Sequence, residues 1–321
     1  MRVWKFILIY FTLFYHINLY AQISKPDTVK IGAFISSLHN FDIANNSVNA
    51  DIHIWCIYND INYKFEKEIE FLNCDEFKLY GTSIQDLDNQ KWFYTKAIIK
   101  SRQKFSTKSY PFDSQKLIFS LESSEYSTND FVFKVDKSGS KLDSIIYKQF
   151  DEWEINDATF SSTSNLYNTS FGDPSESSTS SPRFDILITI NRVGSWLILF
   201  KLLTGIIVAF LISSCVFWIK PNNTDPRFGL CVGGLFASIG NKYIVESIIP
   251  STNELTLLDH LHNITFISIF FIIVISVVSL YLFEHDNDKY KKISIQIDLI
   301  SYFLLNIFYF TFIFYFIYKF S

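Results

Sequence analysis

Two regimes of hydrophobic patterning divide the chain. Between residues 28 and 190 the apolar positions come in short runs rich in β-branched and aromatic side chains: DTVKIGAFISSL, VNADIHIWCIY, KEIEFL, WFYTKAIIKSRQKF, QKLIFSLES, DFVFKV, EWEINDATFSS and RFDILITINR. Polar clusters such as NNS, YND and KSGSK separate them, the punctuation expected of strands joined by turns. Alternation is clearest in ADIHIWCIY, where Ile52, Ile54, Cys56 and Tyr58 share one face. So many short strands predict an all-β sandwich of immunoglobulin-like type. The polar stretch NTSFGDPSESSTSSP at 168–182 is long for a hairpin connection and predicts a mobile surface loop.

Beyond residue 192 the pattern changes to long apolar spans at 193–219, roughly 228–250, 255–283 and 296–319. The first, third and fourth are long enough to cross a hydrocarbon layer of about 30 Å as helices. The second carries Asn241, Lys242 and Glu246. A polar-interrupted span faces protein or water rather than lipid, so it is expected to be the inner helix of a four-helix transmembrane bundle.

Composition sharpens this division. The chain is 49% hydrophobic and 18% aromatic, too apolar for an ordinary soluble domain. Its net charge of −4 includes no basic block, which argues against a nucleic-acid partner. Residues 1–21, with Arg2 and Lys5 before an apolar stretch and Ala21 at its end, predict a secretory signal peptide, with an uncleaved anchor helix as the alternative. The expected domains are therefore 1–21 signal peptide, 22–191 extracellular sandwich and 192–321 membrane domain.

Charge in the loops sets the orientation. Lys220, Arg227, Lys289, Lys291 and Lys292 fall in two loops, while PSTNELTLLDHLHN holds no Lys or Arg. The positive-inside bias puts the N-terminal domain and the C-terminus outside, periplasmic if the membrane is a bacterial inner membrane. Of the four cysteines, Cys56 and Cys74 lie in the exported part, where a bridge and two buried thiols are both open readings. No metal-ligand spacing and no nucleophile–base constellation occurs, so neither a cofactor nor an enzyme is expected.

The order of these pieces resembles the subunits of pentameric ligand-gated ion channels, the Cys-loop receptor superfamily. YPFDSQKL is similar to the F-P-F-D-x-Q-x-C end of the Cys-loop, and the two family cysteines fall on Gln103 and Leu117. Bacterial members lack that disulfide, so the resemblance points to the bacterial branch. VKIGAFISSLHNFDIANNSVNADIHIW resembles the family's first hairpin, EWEI its later Trp-containing strand, FWIKPNNTDPRFG the turn into the pore helix and YIVESIIP that helix's outer end. The resemblance covers about residues 28–320. It implies a coupling joint at the membrane boundary: Pro111 fixing a turn, Phe112 as an apolar knob on the membrane domain, and Asp113 facing Arg192 with Asp42 as second acid.

The same resemblance implies roles for the second span. Turning about 100° per residue from Gly229, Gly229, Gly233, Phe236, Gly240, Tyr243 and Ser247 lie near one meridian, and they coincide with the family's pore-facing positions. Phe236 is the expected central gate, because an apolar constriction stops ions by dewetting. Tyr243 forms a second narrowing. Asp225 and Glu246 are candidate acidic rings favouring cations, and Lys242 pairs internally with Glu246. Two features depart from the family. Three glycines on the stripe, with GLCVG as a G-x-x-x-G, also suit close helix packing, and the first helix lacks the family's usual proline and carries Lys201 and Gly205.

For the agonist, the position of the family's main box tryptophan is Ser124, so the aromatic box is incomplete. Tyr126, Tyr167 and Phe171 are candidate aromatics, Glu122 and Glu125 candidate acids for a cationic ligand, and 168–182 the capping loop. His260 and His262 begin the third membrane helix and offer pH sensitivity. The implied protein is a homopentameric channel in the cell membrane. A small molecule or protons act outside, and membrane lipid and permeant inorganic ions are its other partners. A non-conducting pentameric receptor or sensor of the same fold is the alternative.

Overall fold

The computed structural model describes residues 25–59, 63–146, 152–172, 174, 177–249 and 254–321. The signal-peptide expectation for 1–21 lies outside the described residues. Ten strands form the N-terminal domain: β1 (Asp27–Asp42), β2 (Ser47–Tyr58), β3 (Ile69–Phe71), β4 (Cys74–Leu87), β5 (Gln90–Arg102), β6 (Ser114–Ser123), β7 (Phe131–Val135), β8 (Lys141–Leu142), β9 (Trp153–Tyr167) and β10 (Thr179–Arg192).

The strands form two sheets. One has the order β4-β5-β2-β1-β7 with β8 also on β1, and the other the order β3-β6-β10-β9. Most pairs are antiparallel, but β7 and β8 run parallel to β1, which alternation along a single strand cannot reveal. The alternation itself sets which side chains face inward. Ile52, Ile54 and Cys56 of β2 lie in one buried core with Leu117, Phe119 and Leu121 of β6 and Phe184, Ile186 and Ile188 of β10. Each such side chain contributes about 1.5–3 kcal/mol by leaving water.

Cys56 and Cys74 are both free thiols. Cys56 pairs with Phe93 and Cys74 with Ser101 on the intervening β5. Eight residues of strand, at about 3.3 Å each, separate them far beyond disulfide reach.

Four helices long and apolar enough to cross a membrane follow the β domain. They are α1 (Ser195–Ser214, extended by a 3-10 turn over Cys215–Trp218), α2 (Thr224–Ile248), α3 (Leu257–Phe283) and α4 (Asp288–Phe320). Helix α2 begins at Thr224 rather than near 228, since Asp225 and Pro226 are favourable first-turn residues. Helix α4 begins eight residues before the expected 296, because DKYKKISI is polar yet helix-forming. Apolarity marks the hydrocarbon part of a helix and misses its ends. Helix α3 opens with a capping box in which Thr256 Oγ1 accepts from Asp259 N–H at 3.1 Å and Thr256 N–H donates to the Asp259 carboxylate at 2.9 Å.

Candidate functional site

The loop between β5 and β6 joins the two cores. At the position of the first family cysteine, the Gln103 side-chain amide accepts from Ile118 N–H at 2.9 Å and donates to Ile118 O at 3.0 Å. Ile118 is the neighbour of Leu117, the second family position. An amide clasp thus closes the loop through hydrogen bonds. Gln115 adds a second clasp, accepting from Ser106 N–H at 2.8 Å and donating to Ser106 O at 2.7 Å. Each net hydrogen bond is worth about 0.5–1.5 kcal/mol, whereas a disulfide typically contributes about 2–4 kcal/mol. Hydrogen-bonded closure is therefore the weaker form, and the loop relies also on its partners.

Its principal partner is Arg192, the last residue of β10. The guanidinium donates from Nε to Asp113 Oδ1 at 2.7 Å and from Nη2 to Asp113 Oδ2 at 3.2 Å. The two side chains are 3% and 2% exposed, so the pair is fully buried. Gln115 donates a further bond to Asp113 Oδ2 at 2.6 Å, and Arg192 N–H donates to Asp113 O at 3.1 Å. The guanidinium also lies between two rings, 4.1 Å from the Trp153 centroid and 4.8 Å from that of Tyr110. Trp153 belongs to the β-domain core and Tyr110 to the helical core. One cation thus ties both cores together. Burial pushes the Tyr110 hydroxyl above its ordinary pKa, against the opposing effect of Arg192.

The second acid differs from the expectation. Glu152, not Asp42, approaches Arg192, at 3.9 Å and with a mostly exposed side chain. Asp42 sits in the β1–β2 turn, where Asn45 satisfies both carboxylate oxygens, from its N–H at 2.9 Å and from Nδ2 at 2.7 Å. Those hydrogen bonds hold the Asp42 carboxyl below its usual range. Asp42 still lines a cavity of about 540 Å³ with Arg192, Glu152, Ile198 of α1 and Ile248 of α2. Pro111 and Phe112 follow Tyr110 in the turn, and the Phe112 ring meets Trp196 of α1 edge-on at 4.9 Å. Lys108 O accepts from Leu257 N–H at 2.9 Å, a direct backbone bond from the loop to the start of α3.

On α2 the six stripe residues Gly229, Gly233, Phe236, Gly240, Tyr243 and Ser247 are all exposed, Phe236 and Tyr243 each at 68%. The opposite face carries Arg227, Cys231, Gly234, Ser238 and Val245 and is buried. Asp225 and Glu246 are exposed, and Lys242 Nζ lies 3.6 Å from Glu246. The stripe glycines do not serve packing within the chain, since a Cβ on Gly229, Gly233 or Gly240 meets nothing within 4 Å. Gly234 does: a methyl there would overlap Ser213 Oγ and approach the Ala209 carbonyl to 2.7 Å. Gly205 likewise faces Asn241 closely, and Lys201 is exposed.

Of the candidate ligand residues, Glu122, Tyr167 and Phe171 come together, while Tyr126 and Glu125 lie apart from that contact chain. Tyr126 packs on Tyr63 at 4.9 Å and on Phe131 at 6.0 Å, against the β core. Glu122 is buried, accepting from Asn165 Nδ2 at 3.0 Å and Tyr167 O–H at 2.7 Å, with Arg183 at 3.9 Å. Tyr167 carries Phe171 edge-on at 5.3 Å, which places these two aromatics together at the capping loop. Ser124 and Glu125 are exposed. His260 stacks on Phe316, while His262 is buried, its Nδ1 donating to Leu258 O at 2.7 Å and its Nε2 3.0 Å from Asn241 Oδ1 of α2.

Two constellations lacked an obvious sequence signal. Trp55 fills the space over Gly32, its cross-strand partner, where any Cβ would overlap the indole. Its Nε1–H donates to Asp136 at 3.2 Å, and Asp136 also receives Ser138 Oγ at 2.8 Å and Lys30 at 3.2 Å. Burial works to raise the Asp136 pKa, but these hydrogen bonds outweigh it and hold it low. The second is a buried ion pair between helices, Arg227 Nη2 to Asp298 Oδ1 at 3.0 Å, linking α2 to α4. Its signal was a lone acid in the apolar run ISIQIDLISYF, which needs a partner.

No family model matches this chain, and no curated protein matches it at a significant level.

Proposed function

We propose that this chain is one subunit of a homopentameric, cation-preferring ion channel gated from its β domain. The reading rests on the resemblance of the sequence to that channel family and above all on one observation: the least apolar of the four helices, α2, presents Gly229, Gly233, Phe236, Gly240, Tyr243 and Ser247 as an exposed stripe, its other face packed on its neighbours. A helix carrying Asn241, Lys242 and Glu246 is a poor lipid surface, and a stripe of small and aromatic residues is a reasonable pore wall when repeated around an axis. Phe236 is the gate, Tyr243 the outer narrowing, and Asp225 and Glu246 the acidic rings.

In this mechanism an agonist or a proton shifts the β domain, the Asp113–Arg192 joint carries the displacement into α1 and α3, and α2 rotates or tilts to widen the Phe236 ring. The β domain faces the periplasm, the protein lies in the inner membrane, and it catalyses no reaction. Tyr167 and Phe171 remain the aromatics offered to a small cationic agonist. Two large rings on one stripe also favour a second reading, a receptor of the same assembly whose pore stays shut.

Planar-bilayer recording of the purified protein across pH values and with amine ligands tests both readings. Gated currents are expected, with Phe236→Ala lowering the threshold for opening. Currents unaltered by that change would remove Phe236 as gate. A folded pentamer that stays silent under all conditions would leave the sensor reading.

A further inference from the structure

We propose that the cavity between the β7 edge of the first sheet and strand β9 of the second is a binding site for a small, doubly charged oxyanion. Its volume is about 630 Å³, and Lys30, Lys134 and Lys137 line it with a single acid, Asp136. Backbone register forces two of these lysines together. Lys30 of β1 and Lys134 of β7 are direct partners in the parallel pairing, and both are exposed. Like charges at such positions repel and cost stability. Lys137 adds a third cation two residues past the end of β7.

Asp136 offsets only one of the three. Its Oδ2 receives Trp55 Nε1–H, and its Oδ1 receives Ser138 Oγ, Gly139 N–H at 3.3 Å and Lys30 at 3.2 Å, so both oxygens are occupied. Lys134 and Lys137 make no ion pair among the described residues. Asp185, the acid opposite Ser161 on β10, is held by Arg183, Ser120 and Thr163 and does not line the cavity. Two positive charges therefore stand unmatched. The far wall comes from β9, where Ser161 and Ser162 supply hydroxyl donors and Phe160, stacked on Phe184 of β10 at 6.5 Å, an apolar base. A low-dielectric wall beside charges of one sign focuses their field. A group with two negative charges and several acceptor oxygens satisfies the ammonium and hydroxyl donors together. Cross-strand repulsion kept beside a concave, donor-lined cavity is the local inconsistency expected of a binding site rather than of a purely structural edge.

The proposal needs only the β domain of one chain, so it stands or falls separately from conduction. Isothermal titration calorimetry of the full chain in detergent, in chloride buffer at constant ionic strength, uses sulfate and succinate as probes. Saturable binding of one anion per chain is expected, and the tighter of the two distinguishes a tetrahedral oxyanion from a dicarboxylate. One charge-assisted hydrogen bond is worth about tenfold in affinity, so Lys134→Gln and Lys137→Gln should each weaken binding by that factor. Lys78→Gln, on β4 at the opposite edge of the same sheet, controls for net charge and should leave affinity unchanged. In chloride alone, Lys134→Gln should raise the melting temperature, because it relieves the repulsion from Lys30; a merely structural lysine would not. No saturable binding of either probe, equal weakening by Lys78→Gln, or a Lys134→Gln variant that binds as tightly as the parent or melts at a lower temperature in chloride would overturn the site.

Discussion

Arg192 and Asp113 make the clearest residue-scale case. A buried, doubly hydrogen-bonded ion pair is expensive to break from one side, about 3–5 kcal/mol, because the surviving charge is stranded. Arg192→Gln and Asp113→Asn should each lower stability by that order in denaturant unfolding. The double variant should cost less than their sum, since the residues share one interaction. Strict additivity would mean that the pair is not the unit described. Gln103→Ala removes two bonds to Ile118 and strands that residue's backbone groups, at a cost of about 1–3 kcal/mol. Reductants, by contrast, should leave stability unchanged, because Cys56 and Cys74 of the β domain are both free.

Titration also belongs to single residues. Burial and the neighbouring Lys96 hold His53 below its ordinary value of 6.5, and hydrogen bonding holds Asp136 below the ordinary carboxylate range. Both groups bind protons less readily when folded, so their stabilisation is complete above their unfolded pKa values and fades as pH falls through the folded ones. Acid unfolding should therefore begin just below pH 6.5 through His53 and deepen below the carboxylate range through Asp136. His53→Gln should weaken the first stage and Asp136→Asn the second, as read from unfolding midpoints against pH.

At the scale of elements, α2 is the informative one. Its buried and exposed faces differ by what a methyl group would meet. Gly234→Ala forces the new Cβ into Ser213 and the Ala209 carbonyl, a misfit of about 1–3 kcal/mol by the usual cost of overpacking. Gly233→Ala, one residue away, meets open space in the protomer and should keep or slightly raise stability. The reverse order in thermal melts of the two variants would mean that α2 is rotated from the orientation described. The exposed Lys242–Glu246 pair, one turn apart, is worth only a few tenths of a kcal/mol.

Elements were legible in the sequence to the degree that local pattern encodes them. Period-two alternation in β2 and β6 set their buried faces, and the four spans followed from apolar length alone. What escaped was non-local. The parallel pairing of β7 with β1 depends on chain reversal far from either strand. Glu152 displaced Asp42 because Asn45, three residues on, competes for the Asp42 carboxylate, a local turn contact that matched positions do not convey. The GLCVG pattern suggested a packing face, yet a Cβ on Gly229 or Gly233 meets nothing within 4 Å and the packing glycine is the neighbour Gly234, since the spacing of small residues cannot say which partner side chain lies opposite.

For the whole molecule, a β domain and a four-helix unit meet through a joint in which one guanidinium touches both cores, without covalent reinforcement. The buried Arg227–Asp298 pair ties α2 to α4 at the far end, whereas the outer half of α2 is held by the neutral His262–Asn241 contact beside the cavity lined by Ile248 and Arg192.

The central claim is that the exposed stripe of α2 lines a water-filled path rather than facing lipid. Single cysteines at Gly233, Gly240 and Ser247, in a background with Cys56, Cys74, Cys215 and Cys231 all replaced by Ser and reconstituted into liposomes, test it through reaction with a water-soluble maleimide. The account predicts labelling at all three positions and none at Ser238→Cys on the buried face. Protection of all three from the aqueous reagent, with labelling only by a lipid-soluble one, would contradict it.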